Sequence, residues 1–501
     1  MSETRQEKCG GGPPLDVLMA ALPIVLTLVL LLVPAPPWVA PGAGLVSAVL
    51  IGLAWFDTPV GEVASAFGQS FWTLVEVLAI IAGGILLARV MDRTGAQESL
   101  ARWLSSGGGP TVVSALLMVH GVVPFLETVT GFGVSVIIGL PLLLSLGFTP
   151  LRAASLSLVG LMVGPWGSMG PGTLLGSQIA GVSLHDLGVA SGALNVIAFW
   201  GSGAVAAVIA GRGLPTSDGR PRPADYGAWI GMGLASGVVL SVLVLAANLV
   251  FGTAVAGAVA TLLMSAGWAG VISRGRLGPA PVRALVPYLV LLGGTIIGQL
   301  LEDRLPLGGF GAVLGSPALW SSAGALVGIV VLSLARGHRR RLPRESARMW
   351  LQVAVPTGLY LVLGTAISGG GLAEALATAL TGLGQAYLFL VPLLGGLGGY
   401  ITASGTGANA MFGGTQDAAA HALGMDPLWM MASQNVAAGL ACLASPARIE
   451  LAYRIAGPLH RKDTPGPAFT RAALVARTLP FVLVCLVLWG IVNMLWMPTA
   501  G

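Results

Sequence analysis

HGVVPFLETVTGFG, residues 120–133, sets a single carboxylate, Glu127, in apolar surroundings and closes on two near-adjacent glycines. An ionised carboxylate in hydrocarbon is costly, so an acid placed this way normally faces a cavity or a partner. Gly131 and Gly133 let the backbone approach a ligand, and a helix starting after them would aim unpaired N–H groups at an anion. A plainer reading leaves Glu127 protonated against a backbone carbonyl and uses the glycines for close helix contact. Glu127 is the leading candidate for a proton-binding residue.

A second interruption lies far along the chain. TASGTGANAMFGGTQD, residues 402–417, offers hydroxyls at Ser404 and Thr406 and an amide at Asn409, with no cation. Such a neutral cradle suits either a carboxylate or a coordinated ion, although an intramembrane Asn also commonly bonds between helices. Laying Pro150 on Pro427 aligns LGFTPL (146–151) with LGMDPL (423–428). The same offset brings ETVTGFG (127–133) onto SGTGANA (404–410). Paired, glycine-interrupted segments in corresponding positions are the sequence pointer to a transporter site near the bilayer midplane.

Charged residues make up 9% of the 501 and hydrophobic residues 55%, whereas soluble domains average about 25% charged. The membrane is therefore the solvent. Apolar runs near 17–33, 42–56, 66–90, 110–124, 134–147, 153–170, 188–210, 226–250, 253–272, 284–300, 312–334, 350–368, 385–402, 411–422, 428–446 and 475–496 are expected as spans. Those at 134–147 and 411–422 are short enough to be re-entrant or broken. The first run, from Val17, is too long for a signal-peptide core and is expected to be retained. Arginines cluster at 89–102, 212–222, 274–283, 336–348 and 454–477. The positive-inside rule makes these loops cytoplasmic and turns both chain ends outward. The first interruption is then entered from the cytoplasm and the second from outside.

The expected architecture is an all-α polytopic membrane protein of two inverted-topology repeats, with discontinuous or re-entrant helices at the midplane. A polar tail (1–16) precedes N-terminal spans (17–91) and a first repeat core (105–211) with its break at 125–135. Connecting spans (226–335) lead to a second core (350–450) with its break at 402–416. A cytoplasmic loop (451–474) and a last span (475–501) complete the chain.

Other candidates are weaker. Glu76, inside the run 66–90 with no basic residue close in sequence, is a second proton-site candidate. Asp417 and His421 would share a helix face, and a solvated surface pair is the usual outcome for such neighbours. His120 reads as a hydrogen-bonded histidine before a relay. Arg448, just after Pro446, is expected to mark a cytoplasmic helix end and snorkel, though it could meet an anionic substrate on its way out. Cys9, Cys442 and Cys485 lack the spacing of a metal site or a disulfide framework, so no metal and no cofactor are expected.

At both interruptions the chain resembles the L-lactate permease family, which carries stretches close to FLEGAAGFGTPVAI and SGSNTVSNLMFGPLQ. Here they read FLETVTGFGVSVII (125–138) and TASGTGANAMFGGTQ (402–416), and LGFTPLRAASLSL (146–158) resembles the family as well. Phe125, Leu126, Glu127, Gly131, Phe132 and Gly133 match the first motif. Ser404, Thr406, Asn409, Met411, Phe412, Gly413 and Gln416 match the second. Thr128-Val129-Thr130 replaces Gly-Ala-Ala, Val134-Ser135 replaces Thr-Pro, and Gly405 stands for an asparagine, changes that would reshape a small pocket. The resemblance implies a proton symporter of lactate, glycolate or related 2-hydroxy monocarboxylates, multi-pass in a prokaryotic cytoplasmic membrane. The candidate substrate-binding set is Thr128, Thr130, Gly131, Phe132, Gly133, Ser404, Thr406, Asn409, Phe412 and Gln416. Sodium coupling through Ser404, Thr406 and Asn409 is the alternative. An intramembrane enzyme is disfavoured, since no nucleophile with a nearby base and no metal cluster stands in the sequence. The expected partners are a small organic anion, a proton and the bilayer, with no nucleic acid.

Overall fold

A computed structural model describes residues 13–499 apart from 32, 34, 106–108, 132, 213–221, 274–278, 280, 306–307 and 458–468. Apolar runs of bilayer length become helices because a backbone in lipid must bond to itself. The N-terminal helices are α1 (Pro13–Leu31), α2 (Val39–Ala54), α3 (Val60–Arg93) and the short amphipathic α4 (Ala96–Ser105). Next come α5 (Val112–Leu117), α6 (Val123–Thr130), α7 (Val134–Ser145), α8 (Pro150–Val159) and α9 (Pro171–Ile179). A π-helical turn, Met118–Val122, joins α5 to α6. Long connecting helices are α10 (Leu184–Gly211), α11 (Pro223–Phe251), α12 (Thr253–Ser273) and α13 (Val282–Arg304). They lead to α14 (Gly309–Gly315), α15 (Pro317–Val331), α16 (Arg336–Gly369) and α17 (Leu372–Thr381). The chain closes with α18 (Ala386–Thr402), α19 (Gly405–Leu423), α20 (Pro427–Ala441), α21 (Pro446–Ala456) and α22 (Arg471–Trp496).

Among the described residues, eight helices are long and apolar enough to cross a bilayer, or nine if α14 and α15, bent by 51°, form one span. The protein is a multi-pass, all-helical membrane protein.

Two antiparallel hairpins stand out. In the first, Ser135 on α7 donates to Glu127 on α6 and Gly139 packs on Val123, so the chain reverses at Gly131–Gly133. In the second, Tyr387 on α18 donates to Gln416 on α19, and Gly398 lies against Ala408, so the reversal falls at Ala403–Ser404. The continuous helix Val112–Thr130, made of α5, the π-helical turn and α6, is long enough to span, yet it is one arm of a hairpin and nearly all of it is buried. Both interruptions are thereby narrower than expected. The first spans Gly131–Gly133 rather than 125–135, and the second is confined to Ala403–Ser404 rather than 402–416. Residues 405–423 instead run as one helix, because small residues let neighbouring helices pack close enough to hold it.

Each hairpin is followed by a helix that starts at a proline and then breaks. Pro150 and Pro427 sit at the first turn, where the missing N–H costs nothing. The Asp426 side chain caps the second of these at 2.9 Å. The α8 helix ends before a 3-10 turn (Gly164–Met169) and resumes as α9, while α20 ends at a 3-10 turn (Cys442–Ala444) and resumes as α21. α21 extends to Ala456, into the stretch expected as loop. The order hairpin, then broken helix, thus occurs twice. A single offset cannot align both parts, because the returning arm α19 has 19 residues and α7 has 12.

The two broken helices cross at glycines. A β-carbon on Gly164 would collide with the Gly439 backbone, and one on Gly439 would fall 2.9 Å from the Gly164 Cα. Gly164→Ala is expected to cost about 1–3 kcal/mol through overpacking and to lower the unfolding temperature of the purified protein. Gly231→Ala on α11, where a β-carbon meets nothing within 4 Å, should stay within about 0.5 kcal/mol. Equal midpoints for the two variants would refute the close crossing.

Candidate functional site

Both hairpin tips and both helix breaks open onto one cavity of about 90 Å³. Glu127 and Gly131 reach it from the first hairpin, and Ala403 to Thr406 from the second. Gly164 to Gly172 enter from the first broken helix, and Asn435, Gly439, Cys442 and Arg448 from the second. Pockets for drug-sized ligands run to about 300–1,000 Å³, so this one admits a molecule of only a few heavy atoms.

The wall favours an anion. α9 begins at Pro171 and α19 at Gly405, and both starts line the cavity. The first N–H groups of a helix lack partners within it and carry the positive end of its dipole. On α19 the Ser404 hydroxyl accepts from the Gly407 N–H at 3.1 Å, leaving the N–H groups of Gly405 and Thr406 nearer the opening. The α9 start lies against the α19 start so tightly that a β-carbon on Gly172 would come within 3.0 Å of the Thr406 nitrogen.

Arg448 supplies a full positive charge. Its guanidinium lies over Gly133, whose φ of 78° and missing side chain make room for it. One guanidinium nitrogen is 3.9 Å from a Glu127 carboxylate oxygen, with the two side chains 13% and 10% exposed. The other Glu127 oxygen accepts the Ser135 hydroxyl at 2.5 Å. At 3.9 Å the charges attract, but no hydrogen bond forms. Arg448 Nε is buried with no hydrogen-bond partner, and so is the hydroxyl of Ser168, another lining residue. A buried guanidinium held this loosely is incomplete until another acceptor arrives.

The sequence-derived candidates separate into groups. Glu127, Gly131, Ser404 and Thr406 line the cavity, and Gly133 lies directly beneath Arg448. Phe132 lies outside the described residues. Thr128 and Thr130 are corrected, since their hydroxyls turn back to the Phe125 and Leu126 carbonyls of their own helix, at 2.8 and 2.6 Å. Asn409 sits one turn behind the tip, donating to the Gly172 carbonyl at 3.0 Å and to Asn435 at 2.9 Å. It positions Asn435, which lines the cavity and donates to Thr173 and Ser191. Phe412 packs beside Gly398 inside the hairpin, and Gln416 joins Tyr387 to Gln434, so both hold helices together away from the cavity. Glu76 is half-buried on α3 and is not in the cavity wall.

His120 is fully buried between the Ser236 and Ser202 hydroxyls at 2.7 and 3.0 Å, a bonded histidine remote from the cavity wall. Asp417 and His421, 3.7 Å apart, line a separate crevice of about 670 Å³ between α3, α16 and α19. Glu450 bonds Arg454 and Arg471 at 2.6 and 2.5 Å, tying α21 to α22. Arg448 does not snorkel, and it is the residue whose weight the sequence understated. Ser168, Asn435 and Cys442 were not singled out as site residues at all.

A family model described as L-lactate permease matches residues 16–201 and 311–497 of this chain, and each matched block carries one hairpin and one broken helix. The L-lactate permease of Escherichia coli (strain K12) is 24% identical over 527 residues, spanning 90% of this chain and 91% of that protein. Glycolate permease GlcA of the same strain is also 24% identical, over 90% of this chain and 92% of its own. Among solved structures, the Alcanivorax borkumensis YdaH transporter aligns with a TM-score of 0.47 at 16% identity, over 86% of this chain and 87% of that one.

Proposed function

Since the chain belongs to the L-lactate permease family, we propose that it carries small 2-hydroxy monocarboxylates such as lactate or glycolate across the cytoplasmic membrane by proton symport. The relatives are named permeases, which makes the protein a carrier and not an enzyme. The observation that carries the substrate reading is the small cavity where Arg448, with an unpaired Nε, faces two helix N-termini.

In this reading the substrate carboxylate binds Arg448 and the N–H groups at the starts of α9 and α19. A guanidinium fits a carboxylate in two-point fashion, and a helix N-terminus favours the same charge. Glu127 competes for Arg448 while ionised and releases it when protonated. Anion and proton therefore enter together, and the loaded site holds no more net charge than the empty one. The hairpins and broken helices of the two halves form inverted repeats, supported by their repeated order and by the arginine clusters that flank them in sequence. Rocking of one half against the other would expose the site to each side in turn. Sodium as coupling ion would have to share about 90 Å³ with a guanidinium, and like charges at that range repel.

The test is uptake of labelled lactate and glycolate by the purified protein in liposomes. An inside-alkaline gradient should drive accumulation towards about ten-fold per pH unit for one proton, and an imposed sodium gradient alone should drive none. Uptake that follows sodium and ignores pH would sink proton coupling. Absence of transport for every small monocarboxylate would sink the carrier reading itself.

A further inference from the structure

We infer that Ser168 is the residue that recognises the 2-hydroxyl of the substrate, and so sets the preference for hydroxy acids over the corresponding simple acids. The inference rests on the carrier reading above and adds a specificity-determining residue to it.

Three independent features converge on this side chain. Ser168 lines the cavity that also contains Arg448 and Glu127. It is 5% exposed, and its hydroxyl is buried with no hydrogen-bond partner among the described residues. Of the described residues lining the cavity, only Ser168 and Arg448 carry a buried, unpartnered side-chain atom. A buried hydroxyl without a partner is costly unless something else supplies the bond.

The backbone gives the second argument. Ser168 has φ 55° and ψ 36°, left-handed values that residues with a β-carbon seldom adopt. Gly167 precedes it and Met169, itself at φ 66°, follows before Gly170, so this turn holds two consecutive side chains in left-handed backbone, and the first of them is a hydroxymethyl group. Outliers of this kind persist where the surroundings impose them, and they gather at ligand sites.

Third, the opposing tip is shaped around the hydroxyl. A β-carbon on Gly131 would fall 2.5 Å from the Ser168 Cβ and 2.7 Å from its oxygen. Gly131 is thus the residue that leaves Ser168 room at the point where the first hairpin turns.

The chemistry follows from the size of the site. A 2-hydroxy acid bears its hydroxyl on the carbon next to the carboxylate. In a cavity of about 90 Å³, an anion seated on Arg448 keeps that hydroxyl close to every wall. Ser168 can both donate to it and accept from it. An acid lacking the group would leave Ser168 unpaired, and sites built on such a bond reject the incomplete analogue far more strongly than apolar pockets reject a missing methylene.

The experiment compares lactate with propionate, the same acid without the hydroxyl, in liposomes containing wild-type, Ser168→Ala or Ser168→Gly protein. The wild type should prefer lactate, by kcat/KM. Ser168→Ala should cut that preference at least about ten-fold by losing lactate transport, with propionate held within about two-fold. Ser168→Gly relieves the left-handed backbone, so it should unfold no earlier than wild type while losing the same preference. Parallel loss of both acids, or an unchanged preference in the glycine variant, overturns the assignment. A wild type that carries lactate while the variants keep its preference refutes Ser168 alone. A wild type that carries neither acid refutes the carrier reading and this inference with it.

Discussion

Arg448→Gln should lower kcat/KM for lactate uptake by about 10²–10³-fold, the equivalent of about 3–4 kcal/mol at about 1.4 kcal/mol per ten-fold and within the range for breaking a buried charge pair. Two losses combine in that figure. In the proposed site the substrate carboxylate loses the only full positive charge among the described residues of the cavity wall, and Glu127 is left without the guanidinium 3.9 Å away. Arg448→Lys should recover only part of the activity. A lysine offers a point charge where a planar fork meets the carboxylate, and its ammonium cannot reproduce the guanidinium's seat over Gly133. The double variant Arg448→Gln with Glu127→Gln separates binding from folding. It removes both charges, so no uncompensated carboxylate remains and the protein should again purify as wild type does. Exchange of labelled for unlabelled substrate, which Glu127→Gln alone should retain, should stay lost. Recovery of exchange in the double variant would show that Arg448 serves only to neutralise Glu127.

Much of this architecture was readable because bilayer thickness constrains sequence directly. The apolar runs ending near Leu31, Gly211, Phe251 and Trp496 coincide with helix ends, since a lipid-exposed backbone has no alternative to the helix. The two tips announced themselves through the glycines of the first and the small, polar, glycine-containing run around Ser404 in the second. The second halves of the broken helices were harder to see. PGTLLGSQI (171–179) and PARIELAYRIA (446–456) are short and partly polar, so neither length nor hydropathy marks them as buried.

The same difficulty hid Arg448. An arginine shortly after a proline near the end of an apolar run has the composition of a snorkelling residue, and Glu127 is far away in the chain. The usable signal was GLACLASPAR, residues 439–448. In it an apolar run stops and Ser445-Pro446 restarts a helix, with the Ser445 hydroxyl accepting from the Arg448 N–H at 3.3 Å. That is the counterpart of the break after Gly164 and the restart at Pro171. Thr128 shows the opposite error. Glu127 and Gly131 are four apart and share a helix face, whereas Thr128 points about 100° away. A shared motif marks a segment, and helical phase decides which of its side chains reach the cavity.

Glu127→Gln should abolish concentrative uptake while preserving exchange of labelled for unlabelled substrate across the same liposomes. The amide imitates the protonated acid. It can still meet the Ser135 hydroxyl, 2.5 Å from the carboxylate in the wild type, and it places no negative charge against Arg448. The anion can then bind at any pH, but no proton travels with it, so a pH gradient has nothing to act on. The sign of the wild-type pH dependence follows from the same competition. Because the proposed symport takes up proton and anion together, apparent affinity for lactate should fall as the external proton concentration falls. In the variant that slope should vanish, with KM within a few-fold of the wild-type value at low pH, because the removed charge is a competitor and not a ligand. This pattern distinguishes a proton carrier from a structural acid, whose loss would depress exchange and uptake together. If Glu127→Gln accumulates lactate against its gradient as the wild type does, the proton travels elsewhere and the charge competition at Arg448 is not the coupling step.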